Sequence, residues 1–323
     1  MTRKFTLALA VSGLLLGSWG CATVKAGDSV VATVAPAPPV VPAQPIASAT
    51  TSPPEVSKAA PAPSSPTGSA GFESLHSLLW IQTSVEYRGI ALEAYRLARQ
   101  ALDAGLDDNT WTAALEQIEP YQQLPPAVIV DADETVLDNT PYLAGLVERQ
   151  ERFGAESWQR WCTAAEARAV PGALEFLQYA ASRGVTVFYV TNRAKELTAA
   201  TETNLRRLGF PLVEGQETVL TRGLHPGWES SDKGPRRAEV THRYRVILLV
   251  GDDLGDFFSG NRVAPAERSK GVEPFLDHWG TRWVVIPNPI YGSWADSLTG
   301  FARDLTPAEE QAKKLGWLES FAP

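Results

Sequence analysis

The chain has 323 residues and a formal net charge of −8 at pH 7. That length suits one large domain or two small ones, and the 44% apolar content supplies a core. The negative balance excludes a nucleic-acid polymer as the main partner, since phosphate backbones call for clustered Lys and Arg; a bound cation can still draw a small anion to an acidic protein. The cysteines Cys21 and Cys162 allow at most one bridge, which excludes a disulfide scaffold.

Residues 1–20 read as an export signal. Arg3 and Lys4 supply the positive start, and Phe5 to Leu16 form an apolar run too short to span a bilayer. Gly17, Ser18 and Gly20 then precede Cys21, a position that resembles the lipidation site of bacterial lipoproteins. Ser18 and Trp19 depart from the usual pattern there, so an ordinary cleaved signal or a retained anchor is the alternative. Ala22 follows in place of Asp, which by the same resemblance implies an outer-membrane lipoprotein. A lipid on Cys21 leaves Cys162 as a lone thiol. Residues 21–70 are the tether: from residue 24 they are rich in Pro, Ala, Val, Ser and Thr, keep no helical or strand period, and cannot bury enough surface to order themselves.

The folded domain is expected over residues 71–323. Leu75, Leu78, Leu79, Val85, Leu92 and Tyr95 recur at helical spacing and predict one long amphipathic helix to about residue 104. A second helix is predicted over Trp111 to Glu119, capped by Asp108 or Asn109. The pattern then changes. Four short apolar, β-branched runs follow, at Ala127–Val130, Val185–Val190, Val246–Val250 and Trp283–Ile286, each suited to a strand covered on both faces. Helical stretches lie between them at Gly172 to Ser182, Lys195 to Leu208 and Pro235 to His242. Alternation of this kind predicts an α/β fold with a doubly wound parallel sheet. Residues 71–120 and 139–169 are expected to form a small helical cap beside it.

Each apolar run ends in polar residues: Asp131, then Thr191-Asn192-Arg193, then Gly251-Asp252-Asp253, then Pro287-Asn288-Pro289. Open α/β sheets bind ligands beyond the carboxyl ends of their strands, so four strand ends deliver polar groups to one edge. Two carboxylates at that edge can divide labour. Asp131 can attack phosphorus, and Asp133 can protonate the leaving oxygen and later take a proton from water. A carboxylate approaches a phosphate dianion only with a hard cation present, and oxygen ligands suit Mg²⁺. Asp252 and Asp253 can supply the remaining carboxylate, with Asp256 acting through a water or steadying another ligand. Thr191 and Lys233 can donate to the phosphoryl oxygens, with Asn192 beside them on the substrate side.

Taken together, Asp131-x-Asp133-x-Thr135, Thr191, Lys233 and Gly251-Asp252-Asp253-x-x-Asp256 resemble the motifs of the haloacid dehalogenase superfamily. The words Asp133-Glu134-Thr135-Val136-Leu137-Asp138-Asn139-Thr140-Pro141-Tyr142, Tyr189-Val190-Thr191-Asn192-Arg193 and Asn288-Pro289-Ile290-Tyr291-Gly292-Ser293-Trp294 resemble those of the bacterial lipoprotein acid phosphatases. These are the class C nonspecific acid phosphatases, also described as 5′-nucleotidases. The resemblance runs from about residue 72 to the C-terminus, with the segment Gly260 to Gly271 outside any sure alignment. It implies a Mg²⁺-dependent phosphomonoesterase with Asp131 as nucleophile and Asp133 as acid/base. Asp131, the backbone carbonyl of Asp133 and Asp252 would hold the metal, with Asp253 and Asp256 behind them, while Thr191 and Lys233 would bind the phosphoryl group. Trp158 and Tyr291 match aromatic positions that flank the leaving-group ring, where stacking favours planar groups without reading their edges. Nucleoside monophosphates, nicotinamide mononucleotide, pyridoxal phosphate and other aromatic phosphomonoesters are the implied substrates. Partners are then the small phosphomonoester, the membrane through Cys21, and an open place for a second copy in a homodimer. A phosphotransferase on the same fold and a non-catalytic binding lipoprotein are the rival readings.

Trp158 and Trp161 lie three apart and share a helical face; Trp161 is assigned to the core and Trp158 to the substrate wall. The histidines His76, His225, His242 and His278 lack metal-ligand spacing and read as structural or surface residues.

Overall fold

The computed structural model describes residues 74–321. The expected export signal, Cys21 and the tether lie outside the described residues. Among the described residues no helix is long and apolar enough to cross a membrane.

In chain order the elements are α1 (Leu75–Thr83), α2 (Val85–Asp107), β1 (Pro126–Val130), β2 (Leu137–Asp138), α3 (Thr140–Glu148), α4 (Ala155–Ala164), β3 (Arg168–Ala169), α5 (Ala173–Ser182), β4 (Thr186–Ala194), α6 (Thr198–Leu208), β5 (Val219–Arg222), α7 (Gly234–Thr241), β6 (Arg245–Gly251), α8 (Pro265–Val272), β7 (Trp283–Val285), α9 (Ser293–Leu298) and α10 (Pro307–Leu315). Five strands form one sheet in the order β5-β4-β1-β6-β7, and every neighbouring pair is parallel. Ala127 pairs with Thr186 on one side and with Val246 on the other, so β1 is the central strand.

The pleat explains the two cores. Val128, Val130, Val187 and Tyr189 face one side, where Ala91, Tyr95, Ala98 and Leu102 of α2 and Phe176, Leu177 and Ala180 of α5 cover them. Ala127, Ile129, Phe188 and Val190 face the other side with Leu220, Val240, Trp283 and Phe257. All four predicted runs are strands of this sheet. The edge strand β5 was not among them, because Val219-Leu220-Thr221-Arg222 is short and half polar.

Two helical expectations are corrected. The predicted long helix is broken at Ser84, which is extended and whose hydroxyl accepts from the Tyr87 amide at 3.0 Å. Residues 111–119 are not a helix: the Ala113 amide donates to the Val246 carbonyl at 2.7 Å, Trp111 Nε1 donates to the Ile247 carbonyl, and Trp283 Nε1 donates to the Ala113 carbonyl. Bonds to a neighbouring strand hold this segment open and override its helix propensity.

The helical layer beside the site is also smaller than residues 71–120 and 139–169 suggested. α1 packs on α3, but α2 packs on α5, β6 and β7. Gly105 near the end of α2 lies so close to the sheet that a Cβ there would meet Ile247 Cβ at 3.1 Å. Four small or aromatic residues of α2 are buried in the sheet core, so this helix belongs to the sandwich. The helices of that region that border the strand ends are α3 and α4, through Tyr142, Leu143 and Trp158, with α1 packed on α3.

Candidate active site

The chain leaves β1 at Val130 and turns sharply. The Asp131 amide donates to the Val250 carbonyl at 2.9 Å, which ties the turn to β6. The amides of Val136 and Leu137 both donate back to the Ala132 carbonyl. Glu134 takes φ of 56° at the apex, a conformation disfavoured for a residue with a side chain. Its buried carboxylate accepts from the Asn139 amide at 2.9 Å and from the Tyr291 hydroxyl, and these bonds offset the strain. The turn sets Asp131 against Lys233 and Asp133 against Arg193.

Asp131 is only 9% exposed. Its Oδ1 lies 2.5 Å from Lys233 Nζ, and the same ammonium lies 2.5 Å from Asp256 Oδ1. Lys233 stands at the start of α7 and is itself buried. Burial pushes the Asp131 carboxyl up to about 7 against the opposing pull of Lys233, with Asp256 and Asp133 adding to the rise. Burial likewise holds Asp252 well above the usual carboxylate range, helped by Asp131 and Asp256. Asp252 accepts from Asn288 Nδ2 at 2.8 Å and from the Thr135 hydroxyl at 3.3 Å. Carboxylate oxygens of Asp131, Asp252 and Asp256 all lie within 4.8 Å of one another. An all-oxygen set of this density fits a hard divalent cation.

Asp256 can stand this close to the end of β6 because residue 251 is glycine; a Cβ there would collide with the Asp256 carboxyl. Asp256 also accepts from the Asp253 amide, while Asp253 accepts from the Gly255 amide, the Ser293 amide and hydroxyl, and Asn261. The Asp253 carboxylate therefore ties the β6 end to the start of α9 and points into the loop.

Asp133 faces the cap. Arg193 Nη2 and Nε donate to its Oδ1 at 2.7 and 3.0 Å, and Asn139 Nδ2 donates to the same oxygen at 2.9 Å. The Thr191 hydroxyl lies 3.5 Å from the other oxygen. Arg193 is buried, whereas the Asp133 side chain keeps 17% of its surface open. Asn139 is set in turn by Trp161 Nε1, which donates to its Oδ1 at 2.8 Å. Arg236 donates to the Thr191 carbonyl and to Asn192 Oδ1, fixing the end of β4 from below.

These groups line one cavity of about 600 Å³. Asp131, Asp133, Asn192, Lys233, Asp252, Asp253, Asp256, Trp158 and Tyr291 all border it. Thr191 stands just behind, fully buried. Trp158 meets Tyr142 edge-on at 5.2 Å and Phe153 at 5.9 Å, while Trp161 packs against the sheet core. Tyr291, 39% exposed, borders the same cavity with its hydroxyl held by Glu134. None of the four histidines borders the cavity. Sequence reasoning gave no role to Arg193, Asn139, Glu134, Asn288 or Arg236. Each acts through hydrogen bonds across elements, and no local spacing marks such a partner.

A family model described as HAD superfamily, subfamily IIIB (acid phosphatase), matches residues 67–294. Among curated proteins, a stem 31 kDa glycoprotein of Glycine max is 26% identical over 164 residues, 50% of this chain and 58% of that one. Acid phosphatase 1 of Solanum lycopersicum is 28% identical over 166 residues, 50% of this chain and 57% of its own. The chain thus spans somewhat over half the length of these curated relatives. The crystal structure of the class C acid phosphatase from Bacillus anthracis with tungstate bound superposes with a TM-score of 0.69 at 30% identity, covering 79% of this chain and all of that one. The fold, the strand-end residues and these similarities agree, and the chain belongs to the acid phosphatases of subfamily IIIB of the HAD superfamily.

Proposed function

We propose that the protein is a phosphomonoesterase that works in two steps through an aspartyl-phosphate on Asp131, with Mg²⁺ bound. The observation that carries this is the split environment of the two carboxylates: Asp131 sits against an ammonium on the metal side, and Asp133 sits against a guanidinium on the leaving-group side. In the first step an Asp131 oxygen attacks phosphorus, the ester oxygen departs, and Asp133 gives that oxygen its proton. In the second, Asp133 takes a proton from a water that attacks the same phosphorus, which releases phosphate and restores Asp131. Arg193 and Asn139 hold Asp133 in place for both transfers. Lys233 and Thr191 donate to the phosphoryl oxygens.

Asp131, Asp252 and the Asp133 backbone carbonyl would hold the metal. Asp256 keeps its oxygens on Lys233 and the Asp253 amide, so its duty is to hold the ammonium. When bound, the cation screens the charge between the attacking carboxylate and the phosphoryl group. The tungstate in the Bacillus anthracis enzyme, a tetrahedral oxyanion like phosphate, supports the same binding chemistry here. Trp158 and Tyr291 on the border of the cavity support planar leaving groups, nucleoside monophosphates and aromatic phosphomonoesters among them.

The test is phosphate release from p-nitrophenyl phosphate and a panel of nucleoside monophosphates during metal titration. Turnover that needs a divalent cation and is best with Mg²⁺ is the expected result; equal turnover in excess chelator removes the metal from the account. Anchoring of the enzyme to the outer membrane through Cys21 belongs to the same proposal and rests on the sequence of residues 1–22. Its check is incorporation of labelled palmitate, lost in Cys21→Ser.

A further inference from the structure

The cavity is larger than the reacting groups need, and its outer wall carries charges that the two-step reaction does not use. Arg262 and Arg303 both border it. Arg262 lies on the loop between β6 and α8, and Arg303 on the loop between α9 and α10. The guanidinium of Arg262 stacks 4.4 Å from the centre of the Phe301 ring, which brings these loops together and leaves the N–H edges of the guanidinium free to donate. The first loop is fixed from behind. Arg268 donates to the Asn261 carbonyl and to the Ser293 hydroxyl, each at 2.7 Å, and Asn261 donates to Ser293 and Asp253. The second loop is held by α10, where Glu310 meets Arg152 of the cap.

Every other cation on the cavity wall has an anionic partner: Lys233 has Asp131 and Asp256, and Arg193 has Asp133. Arg262 and Arg303 make no ion pair among the described residues, and neither does Asp296 on the same wall. In a protein of net charge −8, these two guanidinium groups outnumber the one unpaired carboxylate beside them, Asp296, and leave a local positive balance at the mouth of an acidic cavity. Guanidinium edges match the oxygens of carboxylate and phosphate alike, and a phosphate brings the larger charge and one more acceptor oxygen to a pair of them.

The geometry points to a second anion subsite, made by Arg262 and Arg303, that selects phosphomonoesters whose leaving group carries another phosphate, such as nucleoside 3′,5′-bisphosphates. The scissile phosphate would sit at Asp131 and the planar base beside the aromatic residues that border the cavity. The distal phosphate would then lie at the rim. This inference deepens the phosphomonoesterase reading and rests on it.

The experiment compares adenosine 3′,5′-bisphosphate with adenosine 5′-monophosphate in the full chain and in the R262Q/R303Q double variant. Both arginines are exposed, so folding is not at stake, and R262K/R303K controls for charge alone. The kcat/KM ratio of bisphosphate to monophosphate is expected at about 10 in the parent, near 1 in the Gln pair and intermediate in the Lys pair. A parent ratio of 1 or below, or a ratio unchanged by the Gln pair, overturns the subsite. Calorimetric titration of the same two nucleotides into Asp131→Asn, with and without the Gln pair, reads the same ratio as binding. If p-nitrophenyl phosphate is not hydrolysed by the parent, the phosphatase reading fails, while the binding ratio still decides the subsite.

Discussion

The strand-end wall and the cap wall of the cavity are built by different means. On the strand side, Asp131, Lys233, Thr191 and Asp256 are buried and each is fixed by parallel strands or by the first turn of a helix. On the cap side, Trp158 is half open, and its neighbours Tyr142 and Phe153 hold it by ring contacts. Asp133 bridges the two, reaching from the β1 turn to Arg193 and, through Asn139, to Trp161 of α4. On the proposed reaction, the difference separates what is done from what it is done to: bond breaking needs groups held within fractions of an ångström, whereas a planar leaving group needs only flat apolar surface.

The comparison breaks most sharply at Asp131. Asp131→Asn should lower kcat by at least about 10³-fold, the scale of losing a nucleophile, with folding intact because the amide is isosteric. Circular dichroism and steady-state kinetics check both. Next is the bridge. Arg193→Ala leaves Asp133 without its guanidinium partner and should cost roughly 2–3 kcal/mol of stability, less than for a fully buried pair because Asp133 keeps some exposure. It should also lower kcat about 10- to 100-fold, and Arg193→Lys should recover part of each, since it restores the charge without the paired N–H groups.

Metal removal acts on the strand wall alone and carries a pH signature. Burial raises Asp131 to about 7 and lifts Asp252 as well. A carboxyl whose folded-state value is raised stabilises the fold below its unfolded value near 4, and that contribution is lost as pH rises toward 7. The metal-free protein should therefore melt at progressively lower temperature across that window. Added Mg²⁺ should reverse the trend most strongly near pH 7, by about 2.7 kcal/mol at a hundredfold excess over Kd. Proton release on metal binding, large at pH 5 to 6 and small above 8, is the calorimetric check.

The smallest effect belongs to the cap. Trp158→Ala should raise KM for p-nitrophenyl phosphate and nucleotides about 5- to 10-fold and leave KM for a small aliphatic phosphomonoester little changed. A kcat effect as large as that of Arg193→Ala would place Trp158 with the reacting groups and erase the distinction between the walls.

How much of this could be read from the sequence follows the same division. The strands β1, β4, β6 and β7 announce themselves as apolar, β-branched runs, and Asp131, Thr191 and Asp252 stand where those runs stop, so the strand wall is written in contiguous residues. Trp111 to Glu119 reads as a helix because its residues favour one; only bonds to Val246 and Ile247, far along the chain, hold it open. β5 is too short for its pattern to rise above its polar half. Arg193 follows Thr191 and Asn192 in an evident strand end, yet nothing local distinguishes a guanidinium aimed at Asp133 from one in solvent. Glu134 is likewise silent, since its role depends on a left-handed turn and on Tyr291, distant in the chain.

The most direct test of the two-step account is to mix the protein with Mg²⁺ and p-nitrophenyl phosphate at low pH, quench with acid within a turnover, and map the phosphoryl group by peptide mass spectrometry. The account predicts an acid-stable, hydroxylamine-labile phosphoryl group on Asp131 and none in Asp131→Asn. Turnover in which Asp131 is never phosphorylated, or a phosphoryl group found on another residue, would contradict it.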